Sequence, residues 1–210
     1  VRDWEPSWPT ALIVWALLAL ALWSSGAFAA DLQPVPRQAL KYRADLVRSA
    51  RLAWGLKAPV AVMAAQVHQE SAWRPDAQSP YAHGLAQFTP ATADWIGGID
   101  PALKGADTGN PVWALRALAR YDKWLHDRIA PANNACDRWW GALRGYNGGL
   151  GHWLKEARLA APSTDRGAID AQCGQATRHV SHCRENLAYP RLILLRQPLY
   201  ASWGLGVECP

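Results

Sequence analysis

The residue in this chain most suited to chemistry is Glu70. It closes the stretch 60–70, VAVMAAQVHQE, in which nearly every earlier residue is apolar or small. A helix that is apolar on all sides belongs inside a protein. A carboxyl at the exit of such a helix is partly stripped of water, which disfavours its charged form and raises its pKa. A carboxylic acid that stays protonated near neutral pH is equipped to act as a general acid. The same residues allow a plainer reading, in which Glu70 simply reaches solvent where the helix stops. The histidines offer less. His68 lies two residues before Glu70 and so points to a different side of the helix. His83 sits in a loop, where it is a candidate for touching a ligand. The chain has no nucleophile elbow, no phosphate-binding glycine loop and no His-Glu-x-x-His pattern, so no metal or cofactor is expected.

The elements that must hold Glu70 read as helices punctuated by Gly and Pro. Apolar spacing predicts helices over 37–54 and 59–71, then a loop over 75–90. A short helix starts at Pro90 and is broken at Gly97-Gly98. Another starts at Asn110-Pro111 and runs to about Ile129. Asp137 is placed to cap the next helix, which ends near Gly148-Gly149. Two more are expected over about 151–160 and 184–196. Alternating β patterns are scarce, so the expected fold class is all-α, as one domain over 37–210.

Residues 11–23 contain no charged or polar side chain. That is short of the roughly 20 apolar residues a membrane span needs, and Ala27-x-Ala29 has the small-x-small form of a signal-peptidase site. Residues 1–29 are therefore expected to be a signal peptide, or an uncleaved membrane anchor if the apolar run extends through 24–30, with a linker over 30–36. Both readings place the rest outside the cytoplasm. Any membrane contact would be transient and confined to this segment. Cys136, Cys173, Cys183 and Cys209 all lie in the exported part, where an even count implies two disulfides, with three pairings open. The net charge of +5 favours an anionic partner. Export makes an envelope polymer a better fit than nucleic acid.

Three stretches, the first of which contains Glu70, combine into a pattern. The first begins Glu70-Ser71-Ala72-Trp73-Arg74-Pro75 and continues through Gly84-Leu85-Ala86-Gln87 and Pro90-Ala91-Thr92-Ala93. The second is Gly145-Tyr146-Asn147-Gly148-Gly149, similar to an Ala-Tyr-Asn-Ala-Gly motif. The third is Glu185-Asn186 through Tyr189 and Leu192. Together, over roughly 45–200, they resemble the soluble lytic transglycosylase family. The resemblance implies a lysozyme-like helical domain, acting as a monomer on peptidoglycan glycan strands. Such a domain breaks the β-1,4 bond between N-acetylmuramic acid and N-acetylglucosamine. In the family one Glu serves first as acid and then as base, a role that falls to Glu70. Goose-type lysozyme-like hydrolysis is the nearest alternative and would need a water-positioning carboxylate, for which Asp94, Asp100 and Asp107 are candidates. A non-catalytic wall-binding module is another. A phage endolysin and a bacterial wall-opening enzyme would both suit the exported, periplasmic or extracellular setting.

By the same resemblance Ser71 would orient the acid, and Gly84 and Leu85 would border the sugar. Gln87 would line the cleft, the Tyr146 hydroxyl would bond to the acid, and Asn147 would bond to an acetamido group. Trp73 and Trp95 lie nearer the expected cleft than the other tryptophans and are candidates for sugar contact. Trp113, Trp124, Trp139 and Trp153 are expected in the core. Two departures affect the subsites. Ala86 stands where the family usually has Met, and the loop from Ser79 to Gly84 is one residue shorter. Residues 161–183 and 198–210 have no counterpart in the family and read as a local elaboration.

Overall fold

The computed structural model describes residues 34–209. The expected signal or anchor segment lies outside the described residues. Among the described residues eight α-helices follow in order: α1 (Ala39–Trp54), α2 (Val60–Ser71), α3 (Pro90–Ile99), α4 (Pro111–His126), α5 (Ala135–Gly148), α6 (Leu150–Ala160), α7 (Arg166–Asp170) and α8 (Cys183–Arg196). A 3-10 segment, Gln197–Trp203, continues from α8. No strand occurs among the described residues, where β pairing is limited to isolated bridges from His83 to Gln78 and to Phe88. The all-α expectation holds.

Helix α2 is the axis of the fold. Every residue from Val60 to His68 is buried, and Ser71 is buried again at its end. It packs against α1, α8 and the 3-10 segment. Burying each Val, Leu or Met side chain in such a core is worth about 1.5–3 kcal/mol. Helix α1 is amphipathic: its buried residues Ala39, Tyr42, Leu46, Ser49 and Ala50 recur at helical spacing, and it also packs on α4. A second apolar cluster joins Leu125, Ile129, Trp153 and Ile169 beneath α6 and α7.

Local chemistry explains the helix boundaries, including those the sequence reading missed. Thr89 caps α3, with Pro90 in its first turn. Asn110 caps α4 by accepting from the backbone N–H of Val112 and Trp113. Helix α5 is capped by Asn134, not Asp137. Asn134 Oδ1 accepts from the Asp137 N–H at 2.8 Å, and its amide donates to the Asp137 carboxylate at 3.1 Å. Gly97-Gly98 does not break α3, which runs on to Ile99. Gly97 is buried, and a Cβ there would lie 3.3 Å from Lys104 Cα, so its missing side chain admits the following backbone. Helix α7 lies within 161–183, a stretch where apolar spacing predicts no helix.

The two disulfides are Cys136–Cys209, which ties the C-terminal tail to α5, and Cys173–Cys183, which closes a short loop ahead of α8. Around that loop lies a buried ionic cluster. Arg144 and Glu156 are fully buried and paired at 2.5 Å. Arg144 also meets Asp170 at 2.8 Å and Asn186 at 2.9 Å, and Arg178 meets Glu156 at 2.8 Å. The cluster joins α5, α6, α7 and α8.

Candidate active site

Glu70 sits in the last turn of α2, half-buried, where the helix leaves the core. That exit is built with care. Ala72 ends α2 in the left-handed region at φ 49°, and Trp73 follows at φ 63°. Left-handed backbone is strained for residues other than Gly, and here the surroundings hold it. Gln38 donates to the Ala72 carbonyl at 2.8 Å. The Trp73 indole is fully buried and donates to the Tyr200 hydroxyl at 2.7 Å.

Burial pushes the Glu70 pKa up to about 8, and the nearby Glu185 charge adds to the rise. The Tyr189 hydroxyl donates to Glu70 Oε1, which favours the carboxylate and opposes that rise without cancelling it. Burial thus favours the protonated form of Glu70 near neutral pH. Tyr189 stacks on Tyr146, with ring centroids 6.3 Å apart and planes within 9°.

In front of Glu70 opens a cavity of about 320 Å³, whose walls include Gln87, Phe88, Tyr121, Tyr146, Asn147 and Glu185. The structure thus brings together Glu70, Gln87, Tyr146 and Asn147 from separate stretches of sequence. Gln87 is itself strained, at φ 48°, and is pinned by its amide donating to the Ala77 carbonyl at 3.1 Å and the Gly84 carbonyl at 2.9 Å. Asn147 donates to Glu185 Oε1 at 3.0 Å and accepts from the Asn186 amide at 3.0 Å.

Other expected roles are corrected. The Tyr146 hydroxyl donates to the Ala86 carbonyl at 2.7 Å, and the tyrosine bonded to the acid is Tyr189. Ser71 is buried and donates to the carbonyls of Val67 and Leu85, so it ties helix to loop and does not bond to the acid. The Leu85 side chain is fully buried. Gly84 makes room for protein, not sugar: at φ +76°, a Cβ would lie 1.9 Å from the Thr108 carbonyl oxygen. His83 is exposed and lies off the cavity wall. Trp73 packs among Tyr42, Tyr200 and Trp203 and cannot stack on a sugar. Of the four tryptophans expected in the core, Trp139 and Trp153 are buried there, while Trp113 and Trp124 are only half-buried. Trp95 is 41% exposed. With Tyr121 and Trp124 it walls an adjoining cavity of about 480 Å³.

Tyr189 and Glu185 were not picked out as site residues. The usable signal was their spacing of four on a helix, which puts both on one face. Among the described residues, Glu70 and Glu185 are the carboxylates lining the acid's cavity. Asp122 is buried behind it beside Gln66, and burial holds its pKa well above the usual carboxylate range. Asp94 is exposed; Asp100 lies 3.6 Å from Arg116; Asp107 bonds to the N–H groups of Gly109 and Asn110. Among the described residues no group of His, Cys, Asp or Glu could hold a metal ion, and no helix is long and apolar enough to cross a membrane.

Residues 46–166 match the family model for the transglycosylase SLT domain. The chain is similar to membrane-bound lytic murein transglycosylase F from several bacteria. It is 39% identical to the Marinobacter nauticus protein over 106 residues, covering 50% of this chain and 20% of that one. It is 38% identical to the Maricaulis maris protein over 100 residues, covering 47% and 20%, and 35% identical to the Pasteurella multocida protein over 99 residues, covering 47% and 19%. The match thus spans about a fifth of the length of these relatives.

Proposed function

The chain belongs to the transglycosylase SLT domain family, and from that premise we propose that it cleaves peptidoglycan between N-acetylmuramic acid and N-acetylglucosamine, leaving 1,6-anhydromuramic ends. The observation that carries the reading is one carboxyl, Glu70, whose pKa burial pushes up to about 8 and which faces an open cavity. Its proton goes to the glycosidic oxygen as the C1–O bond breaks. The substrate's acetamido group shares the positive charge left at C1, as in substrate-assisted glycosidases. The Glu70 carboxylate, held by Tyr189, then takes the proton of the muramic C6 hydroxyl while that oxygen attacks C1. Glu70 ends protonated as it began, and no water is consumed.

Hydrolysis is the competing outcome. Asp94, Asp100 and Asp107 do not line the cavity. Glu185 does, with one oxygen engaged by Asn147. Digestion of purified peptidoglycan followed by mass spectrometry separates the two reactions. Products one water lighter, ending in 1,6-anhydromuramic acid, are expected; reducing ends would overturn the transglycosylase reading. The two disulfides fit an oxidising compartment, and the proposed setting is periplasmic or extracellular, with the enzyme acting as a monomer.

A further inference from the structure

Most of the stretch 161–183 lies beyond residues 46–166, which match the family model, and several of its side chains line a cavity beside that of Glu70. Arg178 lies in the loop closed by Cys173–Cys183 and is buried. Its Nε donates to Glu156 at 2.8 Å and its Nη1 to the Gly148 carbonyl at 3.2 Å. Gly148 stands where the similar family motif has Ala. A Cβ there would lie 2.0 Å from Arg178 Nη1 and 2.6 Å from Asn186 Nδ2. The departure from the motif and the added loop therefore fit each other: the glycine leaves the space the guanidinium fills.

The remaining nitrogen of that guanidinium, Nη2, is buried with no hydrogen-bond partner among the described residues. A buried donor left unmade costs about 1–3 kcal/mol. Arg178 lines a cavity of about 530 Å³ together with Thr177, His179 and His182 from the same stretch. Asn147 and Glu185 line both this cavity and the one in front of Glu70. His152 also lines it, with Nδ1 2.9 Å from Thr177 Oγ1. Guanidinium, imidazole and hydroxyl donors gathered in one place suit a group that only accepts, a carboxylate. Glu185, at the border, is engaged by Asn147.

We propose that this loop forms a second compartment of the substrate groove and binds a free carboxylate of the peptide that muramic acid carries. The proposal rests on the reading that the glycan lies in front of Glu70. Muramic acid bears its peptide on the C3 lactyl group, so a strand seated at Glu70 projects carboxylates beside the scissile bond.

The test is a binding measurement with the full chain. The probe is a soluble N-acetylmuramyl peptide, which has no glycosidic bond to cut, in free-acid form and with its carboxylates amidated. Affinity is read by titration, with the imidazole NMR signals of His152, His179 and His182 followed in parallel. The free acid is expected to bind at least about tenfold more tightly, with those signals shifting. Arg178→Lys, which loses the planar fork, should reduce the preference. If that variant fails to fold, the exposed pair His179→Ala and His182→Ala serves in its place. Equal affinity for the two probes, or a preference untouched by the variants, overturns the proposal. Carboxylate-dependent binding without digestion of peptidoglycan would leave the compartment standing and overturn the cleavage reading. Digestion without that preference would do the reverse.

Discussion

The Tyr189 hydroxyl donates to Glu70 Oε1, joining residues 119 positions apart in the chain. The bond favours the ionised acid while burial favours the neutral one, and burial prevails, leaving the pKa at about 8. A general acid works only while protonated, so kcat/KM should fall as pH rises through about 8. Removing the hydroxyl removes the influence that lowers this pKa. Tyr189→Phe should therefore move the alkaline limb further up, by as much as roughly one pH unit. Its turnover should also drop, because the carboxylate loses a positioning partner. A pH–rate profile checks this; an unmoved or acid-shifted limb would contradict it.

Glu70→Gln should lower activity by about 10²- to 10⁴-fold, the usual contribution of acid–base catalysis. It should also stabilise the fold, in a pH-dependent way. The folded-state pKa of about 8 lies above the ordinary 4.5. Between those values the folded protein keeps a proton that the unfolded chain has released, so stability falls as pH rises across that window. The amide carries no such penalty. The advantage of the variant should be small at pH 5 and reach roughly a few kcal/mol at pH 8. Urea denaturation at the two pH values measures it, and a constant difference would rule out Glu70 as the desolvated group.

Much of this was legible in the sequence. The unbroken apolar run before Glu70 marks both the central helix and the acid, because an all-round apolar helix has nowhere else to go. What failed was the assignment of roles inside the site. Tyr189 is buried and Tyr146 half-buried, with their rings stacked on each other, and which hydroxyl reaches Glu70 depends on how α5 and α8 pack, which spacing along one helix does not contain. Gly84 is expected to border the sugar, but the group packed against it is the Thr108 carbonyl, from 24 residues away. Asp137 lost its expected capping role because Asn134, three residues earlier, accepts its N–H.

Two tryptophans treated alike in the sequence reading should now behave differently. Trp73 is fully buried and hydrogen-bonded to Tyr200, so Trp73→Ala should destabilise the fold by about 3–5 kcal/mol. Trp95 is 41% exposed beside Trp124, in a cavity that shares Thr92 and Tyr121 with the one in front of Glu70. Trp95→Ala should leave the melting temperature nearly unchanged and raise KM for long glycan strands about three- to tenfold, as expected from losing one aromatic platform. Melting curves and strand-length-dependent kinetics separate the two; a large stability loss at Trp95 would argue for a structural role.

Gly148→Ala restores the residue of the similar family motif and should nonetheless be destabilising. The new methyl meets Arg178 Nη1 at 2.0 Å. That atom ends a flexible side chain, so in isolation it could swing away. Here the guanidinium is anchored to Glu156, which is fully buried and shared with Arg144, so moving it disturbs a buried ion pair. A loss of about 2–4 kcal/mol follows from overpacking plus strain on that pair. Arg178→Ala should also destabilise, because Glu156 keeps only Arg144. The double variant should lose less than the sum of the two, by roughly 1–3 kcal/mol, since removing the guanidinium also removes the clash. Denaturation of the four proteins completes the cycle. Strict additivity would mean that Gly148 and Arg178 do not share one space, and the fit between loop and motif would fall with it.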